Sequence, residues 1–532
     1  MIKYLKKLLF IIIFITISFT LIFFIETIKN TNVLYGDEVM NDNQNDKITV
    51  QYGDINDDGS VNVGDGVVIK KYLAGMDINI NNIAGDVNLD GTINTSDVVL
   101  LMKYLAGMNV ELGVAKQPTE SETHIPYDGA YPYHEPYGTG IGAMPGRVVW
   151  SHNPDSVEWD GNGYWWELTH FNENVILQMV NQSIASLGGN KTAKEGWNTL
   201  FTENKKSQNK NGGYVKGEKI AIKANINGSG VFDDDSSGKT QMSYTNPVLL
   251  KTLLLSLVQE GDVNPSDITV YDVSRIFPNY MVEMCTQNEL QGIHFVGRNN
   301  GIADEQAPIH WSYSFSGKVN YLPTCVTEAT YIINLANLKG HSYGITLCGK
   351  NHFGSFINGN ALRPPEGANL HQWLTKNEMN IYSPLTDLMA NADLGGKTVF
   401  YMLDAIICAP SEGASITGEN SKWQQEPFNG NYTSSIFVSQ DPVAIDSVGA
   451  DFLTNEPTII ENNYAAKDIS SENYLHEAGP VANAPSSTVY TDNQGNNVLN
   501  LGVHEHWNNS LEKLYSRNLG KNEGIELIKI NY

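Results

Sequence analysis

A stretch of 24 residues that occurs twice near the start of the chain constrains the fold more than any other feature. GDINDDGSVNVGDGVVIKKYLAGM occupies residues 53–76, and GDVNLDGTINTSDVVLLMKYLAGM occupies residues 85–108. Aligned without gaps, the copies are identical at 14 of the 24 positions, which makes them a true internal repeat. The identities fall on Asp, Asn, Gly and the KYLAGM tail, and this pattern indicates a duplicated ion-binding unit.

Each copy carries oxygen-bearing side chains at the spacing of a twelve-residue calcium loop. Such a loop supplies ligands from positions 1, 3, 5, 7, 9 and 12 and turns sharply at a glycine in position 6. Gly59 and Gly91 take position 6, and position 12 is Asp rather than Glu in both copies. We therefore expect two Ca²⁺ ions. The predicted ligands are Asp54, Asn56, Asp58, Ser60, Asn62 and Asp65 in the first copy, and Asp86, Asn88, Asp90, Thr92, Asn94 and Asp97 in the second.

Each loop is followed by a helix but is not preceded by one. KITVQY, directly before the first loop, has no helical pattern, whereas apolar residues line one helix after each loop. Residues 53–108 are therefore predicted to form a small all-α calcium-binding module of two loop-helix repeats.

This duplicated loop-helix resembles the type I dockerin. The resemblance implies docking onto a cohesin domain of a scaffolding protein in a cellulosome-type complex. In that family, positions 10 and 11 of each loop help to choose the cohesin, often as a pair of hydroxyls. The second copy has this pair and the first does not, so we expect the second repeat to dominate docking. The predicted cohesin contacts are Thr95, Ser96, Val63, Gly64, Lys70, Lys71 and Lys103.

The first 36 residues have the pattern of an export signal. Three lysines within residues 1–7 precede an uncharged apolar run over residues 8–25. The favoured interpretation is a cleaved signal peptide over residues 1–36. A retained membrane anchor is the alternative, because eighteen apolar residues are just enough to span a bilayer. Both interpretations predict a secreted, extracellular or cell-surface protein, with membrane contact only if the segment is retained.

Charge and cysteine usage exclude some partner classes. The formal net charge of −25 argues against nucleic acid as a partner. The four cysteines are too widely and irregularly spaced for a zinc or iron–sulfur site. They could form disulfides in an exported protein, and buried free thiols are the open alternative.

The rest of the chain is predicted to be a linker and one large domain. Residues 109–146 are rich in Pro, Gly and Tyr and show no period, which is typical of a linker, either free or partly packed. From residue 147 to 532, short apolar strands such as EKIAIKANI and KTVFYMLDAI alternate with helices such as NPVLLKTLLLSLVQEG. This alternation predicts the fold class α/β, a large domain with a mostly parallel sheet.

Polar side chains close several of these strand runs. In a parallel sheet, ligands bind beyond the carboxyl ends of the strands, so these residues are expected to gather at one edge. Lys, His and Asp together can bind an anionic or polyhydroxylated substrate, move protons or hold a metal. The alternative is that each residue caps a helix or satisfies a loop. The candidate catalytic residues are Lys223, His341, Lys350, Asp404 and Asp441, and Asn225, Asp272, Lys339, Asn351 and Asp446 end the same runs.

Three segments of this large region bring a second resemblance. IKAN, INLANLKGHSYGITLCGKNHFG and VSQDPVAIDSVGADFL are similar to blocks of the domain of unknown function 362 family, over roughly residues 145–455. The resemblance implies an α/β fold and no established activity.

A tryptophan-rich stretch leaves the function of the large domain open. In EWDGNGYWWEL, the indoles of Trp159, Trp165 and Trp166 could stack on sugar rings beside carboxylates, or they could belong to the core. VHEHW near the end lacks the histidine spacing of a zinc protease helix. Two functions are expected as alternatives, and the first is implied mainly by the resemblance to the dockerin. One is a polysaccharide hydrolase that acts on O-glycosyl or decorating bonds, and the other is a non-catalytic glycan-binding or cell-surface module.

Overall fold

The chain divides into two compact units, Met1–Thr123 and His124–Tyr532. The computed structural model describes residues 51–73, 76, 78–87, 93, 95–108, 110–113, 131–229, 239–313, 319–357, 370–374, 378–462 and 469–532. The predicted signal peptide over residues 1–36 lies outside these ranges. Within them, no helix has both the length and the apolar character needed to cross a membrane.

The described part of the first unit is helical, and its core is built from equivalent positions of the two repeats. Its helices are α1 (Val63–Leu73), the short α2 (Asn82–Gly85) and α3 (Thr95–Leu105). Ile55 and Val87, the second residues of the two loops, are fully buried together with Ile69 of α1 and Leu101 of α3. Because the repeats share one core, neither has a complete core by itself.

The second unit contains a mixed α/β fold around a sheet of eight described strands, and the prediction of a mostly parallel sheet is confirmed. The strand order is β8-β1-β7-β6-β5-β2-β3-β4. Every neighbouring pair is parallel except the two that involve β7, which is antiparallel to β1 and β6. The strands are β1 (Arg147–His152), β2 (Ile220–Lys223), β3 (Ile268–Asp272), β4 (His294–Gly297), β5 (Tyr331–Asn337), β6 (Thr398–Ala405), β7 (Ser435–Ser439) and β8 (Glu526–Asn531).

Helices cover both faces of this sheet, which explains why its central strands are buried along their whole length. Met402 of β6 belongs to the core beneath α4, α5 and α6, whereas Leu403 belongs to the core beneath α7 and α8. The five helices are α4 (Glu173–Leu187), α5 (Ala193–Ser207), α6 (Pro247–Gln259), α7 (Pro442–Thr454) and α8 (Ile469–Ala478). Shorter α-helices span Asn279–Met284, Thr324–Thr327, Cys348–Asn351, Pro384–Ala390 and Pro457–Asn462.

Among the described residues, four short antiparallel strand pairs lie outside the main sheet. Three of them join neighbouring segments, whereas the fourth joins distant parts of the unit. The pairs are Tyr137–Gly138 with Val503–His504, Lys339–His341 with Gly344–Thr346, Ala303–Pro308 with Tyr321–Pro323, and Lys422–Trp423 with Asn431–Tyr432.

The later part of the predicted linker is folded. Tyr131 is buried, and Tyr137–Gly138 pairs with the strand Val503–His504. The amide of Ile141 donates to Oδ2 of Asp441 at 3.1 Å. Residues 131–146 of the predicted linker are therefore packed within the second unit. The Pro- and Gly-rich composition suggested a linker, but the backbone groups of this segment find partners far away in the sequence.

All four cysteines are free thiols, so the structure favours free thiols over disulfides. Cys285, Cys348 and Cys408 are buried. Burial raises the pKa of these three thiols above its ordinary value, so they remain protonated and unreactive.

Candidate functional site

The first predicted calcium loop is organised around the fully buried carboxylate of Asp65 at position 12. Its Oδ1 accepts hydrogen bonds from the amides of Ile55 at 2.8 Å and Asn56 at 3.2 Å. Its Oδ2 accepts from the amide of Asn62 at 2.8 Å. Asp65 therefore connects the start of the loop to its end.

Asp54 at position 1 is the second buried carboxylate of this loop. Its oxygens accept from the amides of Asp58 at 3.0 Å and Gly59 at 2.9 Å. Gly59 has φ +85°, a left-handed conformation that glycine favours, so the chain turns back here. The remaining predicted ligands, Asn56, Asp58, Ser60 and Asn62, are exposed.

These residues fit Ca²⁺. Two buried carboxylates in one loop repel each other unless a cation lies between them, and an all-oxygen donor set is the one that Ca²⁺ prefers. Asp54 and Asp65 would hold the ion, together with the exposed oxygens of the same loop.

The second loop is described only at its ends. Asp97 at position 12 is fully buried, as Asp65 is in the first loop, and Asp86 is half-buried. The predicted ligands Asn88, Asp90, Thr92 and Asn94 lie outside the described residues. The second calcium ion therefore stays a prediction.

The two main helices of the first unit each carry exposed apolar residues. Val63 and Val67 on α1 are 64% and 46% exposed, and Val99 on α3, the equivalent of Val67, is 52% exposed. The predicted cohesin contacts Thr95 and Ser96 lie in the first turn of α3. Gly64 lies in the first turn of α1, and Lys70, Lys71 and Lys103 are exposed near the ends of the two helices.

In the second unit, Lys223 and Asp272 form a buried ion pair at the carboxyl ends of β2 and β3. The Nζ of Lys223 lies 3.1 Å from Oδ2 of Asp272 and donates to Oδ1 of Asn351 at 3.2 Å. Burial lowers the pKa of Lys223, and Asp272 opposes this shift. Gly354 lies against the pair, since a Cβ there would be 2.5 Å from Oδ1 of Asp272.

Lys339 and Asp404 lie near each other at the same edge. The Nζ of Lys339 donates to the carbonyl of Ser243 at 2.9 Å, and Oδ2 of Asp404 accepts from the amide of Asn246 at 2.6 Å. Burial lowers the pKa of Lys339 to about 8 and raises that of Asp404 to about 6. The charge of each group opposes the shift of the other, so the two form one electrostatic unit.

Lys350 and His341 belong to a neighbouring cluster around His371. The Nζ of Lys350 lies 2.9 Å from Nε2 of His371 and 3.8 Å from the centre of the Phe353 ring. His341 stacks on His371 with ring centres 5.9 Å apart. Burial lowers the pKa of Lys350 to about 7, and the charge of Lys339 lowers it further. Lys350 is thus a buried amine that changes charge near neutral pH.

Asp441 does not belong to this edge. It follows β7, which runs antiparallel to its neighbours, so it lies at the opposite edge of the sheet. Its Oδ1 accepts from the amides of Val443 and Ala444 and so caps α7. The prediction that Asp441 shares a site with the other four candidates is therefore wrong, because the direction of its strand was assumed. Asp446, one turn further on, accepts from the amides of Cys348 and Gly349.

Two groups at this edge were not predicted, namely Glu412 and His371. Oε2 of Glu412 accepts from the amide of Ser342 at 2.9 Å, and its charge opposes the lowered pKa values of Lys339 and Lys350. Neither residue ends a strand run, so the rule that found the other candidates could not find them.

The tryptophan-rich stretch belongs to the core. Trp159 and Trp165 are buried, and their indole N–H groups donate to the carbonyls of Asn162 and Met242. Trp166 stacks on Tyr280 with ring centres 4.4 Å apart. Of the two open interpretations, the structure favours core packing over a sugar platform.

Comparison with known families agrees with both resemblances. Residues 52–106 match the type I dockerin domain, and residues 220–451 match the domain of unknown function DUF362. None of the curated proteins matches the chain. The chain therefore carries a type I dockerin domain followed by a DUF362 domain. Calcium binding, docking to cohesin and extracellular association with a cellulosome-type complex follow from the dockerin.

Proposed function

We propose that this chain is a secreted component of a cellulosome-type complex. Two calcium ions hold its dockerin in the folded form, and mainly the second dockerin repeat binds a cohesin. The observation that carries the proposal is the buried carboxylate pair of the first loop, Asp54 and Asp65. Without a cation the loop would hold two buried like charges, so its folded form depends on calcium.

Exposed apolar residues on α1 and α3 support this surface as the site of contact. A single exposed apolar residue is ordinary, but here the same position is exposed and apolar on both helices. Val67 and Val99 occupy equivalent places, whereas the hydroxyl pair of Thr95 and Ser96 occurs only in the second repeat. This asymmetry supports docking through α3.

Cohesin binding by the full chain tests the proposal. Titration calorimetry should show tight binding in Ca²⁺ and none in excess chelator, and Asp54→Ala should weaken binding. Changing Thr95 and Ser96 together to Ala should cost more affinity than changing Val63 and Gly64 together. Unchanged binding in chelator would contradict the role of calcium, and equal losses in the two double variants would contradict dominance of the second repeat.

For the large unit we propose hydrolysis of glycosyl or decorating bonds of polysaccharides at the carboxyl edge of the sheet. The dockerin supports this assignment through the complexes in which such domains occur, which is an association rather than chemistry. Burial raises the pKa of Asp404 to about 6, so this carboxyl holds a proton in weakly acidic solution, as a general acid must. Lys339 and Lys350 would bind the substrate, and His341 would lie beside Lys350. Lys223, which forms an ion pair with Asp272, would hold the neighbouring side chains in position.

Turnover on a panel of plant polysaccharides tests this second assignment. Asp404→Asn should remove product formation, whereas Asp387→Asn, at another buried carboxyl whose pKa is raised to about 6, should not. Retention on insoluble glycan without any product would contradict hydrolysis. It would favour the alternative of a non-catalytic glycan-binding or cell-surface module.

A further inference from the structure

Four side chains from three distant parts of the second unit converge on one point. His134 lies before the strand Tyr137–Gly138, Glu472 lies on α8, and His504 and His506 lie close together near the end of the chain. One ligand atom from each of the four lies within 4.8 Å of all the others. Nε2 of His134 is 3.2 Å from Nε2 of His504, and Nε2 of His506 is 3.1 Å from Oε1 of Glu472.

The hydrogen bonds on the far side of two of these rings determine where their protons lie. Nδ1 of His504 is 2.8 Å from Oγ of Ser447, which donates its own proton to the carbonyl of Val443. Ser447 can therefore only accept, and Nδ1 of His504 carries the proton. Nδ1 of His134 is 2.8 Å from the carbonyl of Glu135, so it carries a proton as well. In both neutral rings Nε2 then has no proton and carries a lone pair.

Two lone pairs thus face each other at 3.2 Å, between His134 and His504. Either an added proton or a cation must lie between them. A metal cation accounts for this arrangement, because Oε1 of the Glu472 carboxylate also lies 3.6 Å from Nε2 of His504.

His506 has the environment of a metal-bound histidine. Its Nδ1 is 2.6 Å from Oδ1 of Asp451, and metal ligands commonly donate their second ring proton to a carboxylate in this way. Burial alone would lower the pKa of His506, but Asp451 and Glu472 raise it to about 10. A proton on Nε2 of His506 is therefore the competitor of the metal, and the experiment must separate the two.

We infer that His134, His504, His506 and Glu472 bind one divalent first-row transition metal ion. Three imidazole nitrogens and one carboxylate suit Zn²⁺, Fe²⁺, Co²⁺ or Ni²⁺, whereas Ca²⁺ and Mg²⁺ prefer oxygen alone. With metal–ligand bonds of about 2.0–2.2 Å, ligand atoms lie about 3.4 Å apart in a tetrahedral site, and about 3 Å or about 4.2 Å apart in an octahedral site. The observed separations of 3.1 and 3.2 Å suit neighbouring ligands. The atoms that lie farthest apart, within 4.8 Å, would approach by up to about 0.6 Å in an octahedral site and up to about 1.4 Å in a tetrahedral one.

The ion would join segments that the main sheet does not join. His134 is half-buried, so an ion can enter from its side. On the same side, His476 lies one turn after Glu472 on α8, with Nε2 2.9 Å from Oε1 of Glu472. The ion would hold residues 131–138 and 503–506 against α8, and its binding should therefore raise the melting temperature.

The full chain, stripped with chelator and reloaded with Ca²⁺, is titrated with Zn²⁺. We expect one Zn²⁺ per chain by metal analysis, a raised melting temperature, and Co²⁺ absorption bands typical of nitrogen ligands. His134→Ala and His504→Ala should each weaken Zn²⁺ binding at least about 100-fold while the far-ultraviolet spectrum stays native. His134 is half-buried, so its variant tests the site with little risk to folding.

Two control variants separate this site from other metal binding. His294→Ala, at an exposed histidine of the same unit, and Asp54→Ala, in the first calcium loop, should keep Zn²⁺ affinity unchanged. The inference is overturned if the native chain binds no Zn²⁺, with His506 protonated instead by nuclear magnetic resonance. It is also overturned if His134→Ala and His504→Ala bind Zn²⁺ as tightly as the native chain does.

Discussion

Replacing Asp65 by Asn should disable the first calcium loop, although the two side chains have nearly the same shape. Oδ1 of Asp65 accepts two amide hydrogen bonds and Oδ2 accepts one. An asparagine has one carbonyl oxygen and one NH₂ group. In its better orientation the oxygen keeps the bonds to Ile55 and Asn56, and the NH₂ group faces the amide of Asn62. The charge-assisted hydrogen bond from the amide of Asn62 is lost, and two N–H donors face each other instead.

Losing such a bond at a fully buried site costs about 1.5–3 kcal/mol. The loop gathers its ligands when it folds, so the cost appears in calcium affinity. Since about 1.4 kcal/mol corresponds to a factor of ten, the affinity of this loop should fall by about 10- to 150-fold. Loss of a charged ligand acts in the same direction.

Asp57→Asn is the matched control, because it makes the same chemical change in the same loop at position 4, which binds no ion. Asp57 has φ +56°, which asparagine tolerates, and it accepts one exposed hydrogen bond from Asn81 at 2.8 Å. Its effect should stay within about 0.5 kcal/mol. Calorimetric titration of the full chain with Ca²⁺ measures both variants. If they bind Ca²⁺ with the same affinity, Asp65 is not a ligand and the assignment of the loop is wrong.

Three further predictions concern the sheet edge, and urea unfolding measures each of them. Lys223→Met leaves the carboxylate of Asp272 buried without its cation, so the free energy of unfolding should fall by about 3–5 kcal/mol, and a loss below 1 kcal/mol would contradict the pair. Gly354→Ala should cost about 1–3 kcal/mol, because its Cβ would lie 2.5 Å from Oδ1 of Asp272 and 2.9 Å from Nζ of Lys223. In the folded chain the pKa of Lys350 is lowered to about 7. Above that pH the Lys350 amine therefore carries a proton in the unfolded chain but not in the folded chain. The free energy of unfolding should therefore rise from pH 7 to 10, by up to about 1.4 kcal/mol per pH unit, and Lys350→Met should remove this part of the slope.

The sequence predicted what depends on neighbouring residues or on strand ends. The spacing of a calcium loop lies within twelve residues, and Asp54 and Asp65 are both buried in one loop. Lys223 and Asp272 meet because β2 and β3 are parallel neighbours, as the apolar runs suggested. The same reasoning placed Asp441 at the wrong edge of the sheet, because an apolar run does not reveal the direction of the strand that it forms.

The sequence could not predict contacts between distant loops. Glu412 reaches the edge through Ser342, 70 residues away, and no periodic pattern relates the two. His134 meets His504 across 370 residues, from a segment whose composition resembled a linker. The close spacing of His504 and His506 was visible, but neither the helix of Glu472 nor the position of His134 could be inferred from it.

The pairing of β8 with β1 has a consequence for the order in which the two units mature. Arg147 of β1 contacts Glu526 of β8 across 379 residues, so the sheet stays incomplete until almost all of the second unit has been synthesised. The first unit instead closes over a few dozen residues, as the amide of Gly53 donating to the carbonyl of Ala84 illustrates. Local contacts form faster than distant ones, and the first unit also precedes the second along the chain. A newly exported molecule can therefore be competent to attach to its scaffold before the domain that it delivers has finished folding.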